Sequence, residues 1–332
     1  MPVALTDGLQ VLDRLTVDVI SDNVSDTYVS KTAFATSEFD NVVRGGTKII
    51  AGESLLVANL GYGLRLRTGV ADVERALLFD TGTEAAAFVR NCENLHLDLG
   101  TVEEIAITHG HWDHMGALLA AVDEIVALRG SVVVHVNPGM FDERGIRLLN
   151  GEIIPVAMVP SPAEMRDHGA TVVNSGDARL LLGNRLYYSG EIPRVTPFEK
   201  GRTDHLCRPA DGTGQWQPDP LLLDERMLIA HVRGLGLVIF SACSHAGIVN
   251  VCTEAHRLFA DIPIHAVIGG LHLGGVMERA IPQTVSGLAP FGISHIIAGH
   301  CTGWRALHAL ADTYGDHVSQ SAVGTTYHFE AP

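Results

Sequence analysis

Residues 107–118 read ITHGHWDHMGAL, and this short stretch determines how the rest of the chain is interpreted. His109, His111, Asp113 and His114 fall within six positions, directly after an apolar run. A buried core does not tolerate such a cluster without partners, because burying polar groups costs free energy unless they are paired. Imidazole nitrogens and carboxylate oxygens suit zinc, and also iron or manganese. The cluster therefore predicts a metal site.

The spacing within this cluster predicts two groups of ligands. In extended backbone, residues two apart point the same way. His109 and His111 are therefore expected to bind one ion. Asp113 and His114 lie just past a bend and are expected to reach toward a second ion.

Closing both sites takes ligands from elsewhere in the chain, and a pattern that occurs three times supplies candidates. Each copy has an apolar strand, small residues, a histidine and then glycine. The copies are GLGLVIFSACSHAG (234–247), IHAVIGGLHLGG (264–275) and ISHIIAGHCTG (293–303). They place His245, His272 and His300 at the ends of buried strands, where ligand groups of α/β sheets tend to collect. We expect the three histidines to converge if their strands are neighbours.

Composition limits the class of protein. Hydrophobic residues make up 46% and charged residues 18% of the 332 residues, so a substantial buried core is expected. The formal net charge of −15 argues against a nucleic-acid partner, since such a surface repels phosphate backbones. No apolar run is long enough for a membrane span. A small-molecule substrate is the expected partner.

Cysteine usage and the N-terminal segment bear on the compartment. The five cysteines form an odd, scattered set without a CxxC pair, which is typical of a reducing cytoplasm. The first residues contain early acidic groups and no unbroken apolar stretch, so they do not read as a signal peptide. A cytoplasmic protein is the expectation.

Strands alternating with helices predict an α/β layered domain. LTVDVISDN (15–23) alternates apolar and polar residues, and ESLLVANLGYGLRLRTG (53–69) is typical of a hairpin. DHMGALLAAVDEIVAL (113–128) has helical spacing, and a second helix is expected around residues 250–260.

Residues 137–225 differ in character from the rest of the chain. Nine of the fourteen prolines fall here, and residues 201–220 read almost entirely as loop. Long irregular stretches in compact domains are usually lids, binding loops or partner surfaces. We interpret 137–225 as an insertion that partly covers the site within a single domain spanning 1–332. Such an insertion often makes a subunit contact, which favours a homodimer.

The motifs resemble those of the metallo-β-lactamase superfamily. The resemblance is carried by THGHWDH (108–114), LFDTG (78–82) and the histidines at strand ends, and it covers roughly residues 50–135 and 235–325. It implies a four-layer αββα sandwich of two mixed sheets with helices outside. A subgroup often described as synthases of a dihydropterin ribofuranosyl-aminobenzene phosphate is similar in further motifs. These are CSHAGIVN (243–250), GGLHL (269–273), GEIPR (190–194) and HCTG (300–303).

The resemblance also implies a ligand set. One ion is expected on His109, His111 and His245, and a second on Asp113, His114 and His300. Asp80 matches the aspartate that orients such sites through hydrogen bonds.

The chain departs from the superfamily pattern at one motif. Most members have an aspartate there that bridges two metals, whereas this chain offers His272. A looser metal pair and a single metal both fit that change, and His272 is a candidate ligand, proton donor or substrate contact. Cys243 is an alternative soft ligand beside His245, although free cysteine is often simply buried.

These observations predict a metal-dependent hydrolase. A bound metal lowers the pKa of water, and the resulting hydroxide attacks a carbonyl carbon or a phosphorus. Asp113 is expected to orient the nucleophile or accept its proton, and His272 to protonate the leaving group. Candidate substrates are small esters, lactones, thioesters, amides or phosphodiesters.

Two alternatives remain open at this point. A synthase-like enzyme acting on pterin or phosphoribosyl substrates would need a phosphate clamp, for which Arg194, Lys200 and Arg202 are candidates. A metal-containing binding or sensor protein with little turnover is the other alternative.

Overall fold

The computed structural model describes residues 5–28 and 32–331 of the chain. Residues 1–4 lie outside this range; they begin the N-terminal segment that is predicted not to be a signal peptide. The strands of the described residues, in chain order, are β1 (Val11–Leu12), β2 (Arg14–Ser21), β3 (Ala35–Thr36), β4 (Gly63–Val70), β5 (Val73–Phe79), β6 (Val102–Ala106), β7 (Val132–Val136), β8 (Glu143–Arg147), β9 (Ile153–Pro155), β10 (Ala170–Asn174), β11 (Arg179–Leu181), β12 (Leu186–Tyr188), β13 (His205–Arg208), β14 (Gln217–Pro218), β15 (Leu228–Val232), β16 (Gly236–Ser241), β17 (Ile264–Gly270), β18 (His295–Gly299), β19 (Val318–Gln320) and β20 (Thr326–Glu330).

The helices divide between α-helices and short 3₁₀ segments. The α-helices are α1 (Glu38–Arg44), α2 (Ala85–Asn94), α3 (Trp112–Met115), α4 (Leu118–Arg129), α5 (Pro162–Asp167), α6 (Ile248–Leu258), α7 (Ile281–Leu288) and α8 (Trp304–Tyr314). The 3₁₀ segments are Leu5–Gly8, Leu99–Thr101, Gly275–Ala280, Ala289–Phe291, His300–Thr302 and Gly315–His317. None of these helices is long and apolar enough to cross a membrane.

Two eight-stranded sheets form the centre of the molecule. Sheet one has the order β10-β7-β6-β5-β4-β2-β20-β3. Sheet two has the order β11-β12-β15-β16-β17-β18-β19, with β1 paired to β15. A small third sheet has the order β14-β13-β8-β9. Both large sheets are mixed, as the resemblance implies.

The alternation of side chains along the strands explains the layering. In β5, Leu77 and Phe79 pack between the two large sheets, whereas Ala76 and Leu78 pack on the opposite face. Successive side chains of a strand point to opposite faces, so this strand is buried on both sides. Helices α2 and α4 cover the outer face of sheet one, and α6, α7 and α8 cover that of sheet two. The predicted four-layer αββα sandwich is confirmed.

Parallel strands bring the motifs to one edge of the sandwich. β5, β6 and β7 are parallel in sheet one, and β16, β17 and β18 are parallel in sheet two. Their carboxyl ends lead into the segments that contain the predicted ligands. The expectation that the three strands preceding His245, His272 and His300 are neighbours is therefore confirmed.

The predicted hairpin over residues 53–69 is wrong. β4 pairs instead with the following strand β5, across a turn at Ala71. Residues 53–60 form no strand, because the side chain of Asn91 accepts a hydrogen bond from the Val57 amide at 2.8 Å and donates to the Val57 carbonyl at 2.9 Å. These bonds replace the pairing that a neighbouring strand would provide.

The predicted helix over residues 113–128 is interrupted. The chain forms α3 and α4 with a break at Gly116, where an added Cβ would lie 1.7 Å from the Thr83 carbonyl oxygen. The amide of Thr81 donates to the His114 carbonyl at 2.9 Å, so that carbonyl is not available for continuing the helix. The helix predicted around 250–260 is found as α6.

The description of residues 137–225 as one loop-rich insertion needs correction. β10 extends sheet one beside β7, and β11 and β12 extend sheet two beside β15, so residues 170–188 belong to the sandwich. The stretch 201–220 contains β13 and β14, which pair with each other. Short strands flanked by glycine and proline carry too little periodicity to be recognised in sequence. That this region acts as a lid stays a prediction.

Contact between aromatic rings of the two large sheets gives a stability test. Phe79 and Phe240 meet edge to face with ring centroids 6.0 Å apart, and both are fully buried. We expect Phe240→Ala to reduce the free energy of unfolding by about 3–5 kcal/mol, and Phe240→Leu by under about 1.5 kcal/mol. Denaturant unfolding measures both. Phe39→Ala, on the exposed side of α1, is the control, and an equal loss in the control would contradict the inter-sheet role.

Candidate metal centre

The candidate ligands lie where six strands end, and the backbone there is unusual. Four non-glycine residues at these ends adopt left-handed conformations: Asp80 (φ 57°), Ser244 (58°), His272 (47°) and His300 (48°). Such conformations cost about 1–3 kcal/mol each and persist where the surrounding structure enforces them. Their concentration at one edge marks this region as one whose geometry is fixed for a purpose other than stability.

Two groups of three side chains converge at this edge. The ligand atoms of His109, His111 and His245 all lie within 4.8 Å of one another, and the same holds for those of Asp113, His114 and His300. We call these groups triad one and triad two. They are the same sets that the resemblance implies. The structure thus brings together six of the seven side chains predicted as ligands in two compact groups.

The two triads adjoin each other across the gap between the large sheets. The rings of His109 and His245 have centroids 4.8 Å apart, and those of His114 and His300 have centroids 4.9 Å apart. Asp113 Oδ2 lies 3.5 Å from His300 Nε2. Each pair joins a residue after β6 in sheet one to a residue in sheet two, so the centre exists only when both sheets are packed.

Ring nitrogens without partners show that the donor set fits a cation. His114 Nε2, His245 Nε2 and His300 Nδ1 are buried and have no hydrogen-bond partner among the described residues. A buried polar atom without a partner is costly, and natural proteins rarely leave several together. Nitrogens and a carboxylate in this arrangement are donors suited to a divalent transition metal.

The carboxylate of Asp80 forms hydrogen bonds with the segment that carries ligands of both triads. Asp80 is fully buried and accepts three hydrogen bonds, from the Thr108 amide (2.8 Å), the Thr108 hydroxyl (2.7 Å) and His114 Nδ1 (2.7 Å). The bond to Nδ1 leaves Nε2 of His114 as its free ligand atom. Such a carboxylate partner fixes the tautomer and orientation of a ligating histidine. The predicted orienting role thus has a direct geometric basis.

Backbone amides of the other ligand segments are held in the same way. Glu225 is buried and accepts hydrogen bonds from the amides of His245 (2.8 Å) and Ala246 (2.6 Å). Asp22 accepts one from the His300 amide at 2.9 Å, and burial raises the pKa of Asp22 to about 7. Three buried carboxylates from separate parts of the chain therefore position the ligand segments.

Electrostatics favour neutral imidazoles in triad one. Burial lowers the pKa of His109, His111 and His245 well below the usual value, and neighbouring histidines add to the effect. Neutral imidazole is the form that binds metals. Burial opposes charge on His114 as well, but Asp113 and Asp80 raise the pKa of His114 to about 9. In the metal-free protein these two carboxylates thus favour positive charge on His114 of triad two.

The triads open into a cavity of about 260 Å³. His111, Asp113, His245 and His300 line its floor, together with Cys243, His272 and Cys301. The small sheet forms the opposite wall through Arg144, Ile146, His205 and Leu206. Part of the 137–225 region therefore does border the site.

His272 lies beside triad one without belonging to it. Its ring centroid is 4.2 Å from that of His245, and its Nδ1 lies 3.1 Å from the Cys243 sulfur. A further group of potential ligand atoms within 4.8 Å consists of Cys243, His245 and His272. His272 lines the cavity, so its predicted roles as ligand or proton donor both remain predictions.

The three residues predicted to form an anion clamp, Arg194, Lys200 and Arg202, lie in different surroundings. Arg202 lines the cavity and pairs with Asp204 at 3.0 Å, whereas Lys200 is exposed and borders no part of it. Arg194 donates to the carbonyls of Ile192 and Leu221, which engages its guanidinium in the backbone of its own region. Of these three predicted residues, Arg202 is the one that borders the cavity.

Arg144 and His205 also line the cavity, and neither is predicted from the sequence. Arg144 is buried and donates to Asp224 at 2.7 Å, and its Nε and Nη1 have no hydrogen-bond partner within the described part of the chain. The ring centroid of His205 is 5.3 Å from that of His111. Both belong to the small sheet, and no motif in their surroundings distinguishes them in the sequence.

Comparison with known proteins agrees with this geometry. The profile of the Metallo-beta-lactamase superfamily matches residues 70–190. A solved structure of a metal-dependent hydrolase of the beta-lactamase superfamily superposes with a TM-score of 0.68 at 20% identity, covering 96% of this chain and 99% of that one. This chain is a metallo-β-lactamase-fold protein.

A second solved structure has a similar fold, and one curated protein is similar in sequence. The metallo-beta-lactamase fold protein YhfI from Bacillus subtilis superposes with a TM-score of 0.52 at 9% identity, covering 96% of this chain and 100% of that one. The chain is also similar to the 7,8-dihydropterin-6-methyl-4-(beta-D-ribofuranosyl)-aminobenzene-5'-phosphate synthase of Methanocaldococcus jannaschii. That similarity is 26% identity over 266 residues, 77% of this chain and 85% of the relative.

Removal of the Asp80 charge tests its orienting role. In this metallo-β-lactamase-fold protein, Asp80→Asn keeps the size of the side chain, and asparagine tolerates left-handed backbone. We expect metal affinity to fall about 10–100-fold, because the partner of His114 Nδ1 loses its negative charge and one of its two acceptor oxygens. Competition with a chromophoric chelator measures the affinity. Asp18→Asn, which breaks a buried pair with Arg65 away from the site, serves as control and leaves affinity unchanged. Unchanged affinity in Asp80→Asn would refute the role.

The pH dependence of stability tests the burial of His205. Burial, followed by the charge of Arg202, lowers the pKa of His205 to about 3. In the unfolded chain the imidazole of His205 takes up a proton near pH 6.5, whereas in the folded chain it stays neutral until about pH 3. The metal-free protein therefore loses stability as the pH falls below about 6.5.

His205→Gln removes the group that takes up one more proton in the unfolded chain than in the folded chain. We therefore expect the slope of the unfolding free energy against pH to fall by about 1.4 kcal/mol per pH unit between pH 4 and 6. Denaturant unfolding of the metal-free protein across this range measures the slope. His308→Gln, at an exposed position of α8, is the control and leaves the slope unchanged. An identical slope in wild type and His205→Gln would show that His205 is not held neutral.

Proposed function

We propose that the protein is a metal-dependent hydrolase acting on a small molecule. The observation that carries this proposal is the convergence of the two triads, with three buried ring nitrogens lacking partners, on the floor of one cavity. Zinc is the proposed metal, with iron and manganese as alternatives, and two ions are proposed because the triads are separate groups. The likeness to a solved metal-dependent hydrolase supports the fold on which such a site is built.

The side chains of this chain supply the remaining requirements for hydrolysis. Metals bound at the triads would supply water of lowered pKa and stabilise developing negative charge. His109, His111 and His245 would hold one metal, and Asp113, His114 and His300 the other. Asp113 also lines the cavity, where its carboxylate can orient a nucleophile or accept its proton.

His272 on the cavity floor is a candidate proton donor for the leaving group. His272 borders the cavity and is held by its contact with the Cys243 sulfur. We propose that His272 protonates the leaving group, which is the role expected from its sequence position. His205, on the wall opposite, is kept neutral by burial and is therefore suited to accept a hydrogen bond from substrate.

The cavity narrows the class of substrate. Its volume of about 260 Å³ suits a small molecule, and its walls combine apolar side chains such as Leu60 and Ile146 with polar groups. We propose a small ester, lactone, thioester, amide or phosphodiester as substrate. A small-molecule partner, the absence of a nucleic-acid partner and a homodimeric assembly are kept as proposals on the grounds given by the sequence.

A synthase-like reaction is the second candidate. The observation that favours it is the similarity to the archaeal synthase over 77% of this chain. A pterin or phosphoribosyl substrate would need a cation for its phosphate, and Arg202 and the two free nitrogens of Arg144 border the cavity. Release of an alcohol, acid or amine from simple esters, lactones, amides and phosphodiesters favours the hydrolase, and turnover of phosphoribosyl substrates alone favours the synthase-like enzyme.

Metal content per chain tests the central claim. We expect about two metals in protein purified without added metal, and about one in either His245→Ala or His300→Ala, because each variant breaks a different triad. Elemental analysis measures the content. His231→Ala, in β15 and outside both triads, is the control and keeps the wild-type content. Wild-type protein without metal, and without metal uptake on addition, would disprove the proposal.

Hydrolysis assays of the same variants connect the metal to the reaction. On a panel of chromogenic esters, lactones and phosphodiesters, we expect His245→Ala and His300→Ala to lose at least about 100-fold in kcat/KM, equivalent to about 2.7 kcal/mol of transition-state stabilisation. Chelation should abolish turnover of the wild type, and added zinc should restore it. A metal-loaded wild type without turnover on the whole panel would favour the binding or sensor alternative.

A further inference from the structure

Two sulfur atoms lie inside the histidine cluster. Cys243 Sγ and Cys301 Sγ are 3.1 Å apart, and both side chains line the cavity with the triads. They come from different strand ends of sheet two, Cys243 following β16 and Cys301 following β18. Their proximity is therefore a product of the tertiary structure and not of neighbouring positions in the chain.

Cys243 is positioned between the two triads. Its sulfur lies within 4.8 Å of the ligand atoms of His109 and His114, which belong to different triads. It forms a second such group with His245 and His272, and a third with His300 and Cys301. The Cys243 sulfur is thus close to ligand atoms of both proposed metals.

The backbone leaves room for the sulfur pair. A Cβ added at Gly270 would lie 2.6 Å from the Cys301 sulfur and 2.6 Å from the Ala242 carbonyl oxygen. Ser244, next to Cys243, donates to the Gly270 carbonyl at 2.6 Å and fixes the turn that carries Cys243. Only glycine at position 270 permits this approach of the two segments.

The remaining buried cysteines have different surroundings. Cys92 packs in the apolar cluster beneath α2 and α4, and Cys252 packs in the one beneath α6. Free cysteine in such places behaves as a small hydrophobic residue. Cys243 and Cys301 belong to no apolar cluster of the described residues and contact histidines instead.

We propose that the Cys243 thiolate is a metal ligand at the boundary between triad one and triad two. Cys301 is the neighbouring sulfur, 3.1 Å away, that contacts this ligand. This inference rests on the metal centre of the proposed function. On binding, the thiol proton of Cys243 passes to solvent and the sulfur lone pair forms the bond to the metal. A sulfur ligand favours zinc or iron(II) over manganese(II) and magnesium, which prefer oxygen.

Cobalt(II) substitution tests the sulfur ligand directly. Metal-free, fully reduced protein is titrated with cobalt(II), and its absorption is recorded in the visible and near-ultraviolet regions. We expect a thiolate-to-cobalt charge-transfer band in the wild type, beside the weaker visible bands of the ion. The band should be lost in Cys243→Ser, reduced in Cys301→Ser, and unchanged in Cys252→Ser, the matched control for removal of a buried thiol.

The outcomes separate this inference from the proposed function. Visible cobalt bands without a charge-transfer band in the wild type would overturn the sulfur ligand and leave the metal centre intact. Failure to take up cobalt at all would overturn the metal centre and the sulfur ligand with it. A charge-transfer band that persists in Cys243→Ser but disappears in Cys301→Ser would also overturn the assignment to Cys243.

Alkylation of the wild type gives a test that needs no variant. Iodoacetamide is applied to reduced protein with and without saturating zinc, and modified cysteines are located by peptide mass spectrometry. We expect zinc to slow modification of Cys243 at least tenfold, while the reactivity of Cys207, which does not border the cavity, stays unchanged. Equal modification of Cys243 with and without zinc, in protein shown to contain the metal, would overturn the proposal.

Discussion

The buried carboxylate of Asp80 is the contact on which the arrangement of the site depends. It joins the end of β5 to the end of β6 through Thr108, and it fixes the ring of His114 through Nδ1. A carboxylate without hydrogen bonds in this position would be very costly, since it is fully buried. The same bonds that satisfy Asp80 therefore impose the backbone path of the histidine segment.

The ligand segments of sheet two follow the same principle. Glu225 accepts hydrogen bonds from the amides of His245 and Ala246, and Asp22 accepts one from the amide of His300. Each carboxylate comes from a part of the chain remote from the ligand that it positions. The left-handed backbone at Ser244 and His300 lies at or next to amides that these carboxylates bind.

The small sheet gives the site a second wall that is chemically distinct from its floor. Histidines, a carboxylate and two sulfurs form the floor, whereas Arg144 and His205 project from β8 and β13. The residues of the floor follow strands of the two large sheets. The strands that carry this wall form a separate sheet and are not needed to complete the two large sheets.

Much of the candidate site was accessible from local sequence. The dense cluster over residues 109–114 and the histidines after three apolar strands supply the donors, since parallel strands place their carboxyl ends at one edge. The division of these donors into two sets of three is what the resemblance to the metallo-β-lactamase superfamily implies. The layered fold followed from strands alternating with helices. Short strands within residues 137–225 did not, because two to five residues carry too little periodicity to define an element.

What the sequence determined by itself was the inventory of donors and the edge of the sheets at which they gather. Only the tertiary structure decided how closely the donors of each triad approach one another and which further side chains lie beside them, because that depends on how the two sheets pack. It brought Cys243 to 3.1 Å from Cys301, 58 positions away, and placed His205 opposite His111. Distances across a packed interface depend on the shapes of all the side chains in it, and no local pattern contains that information.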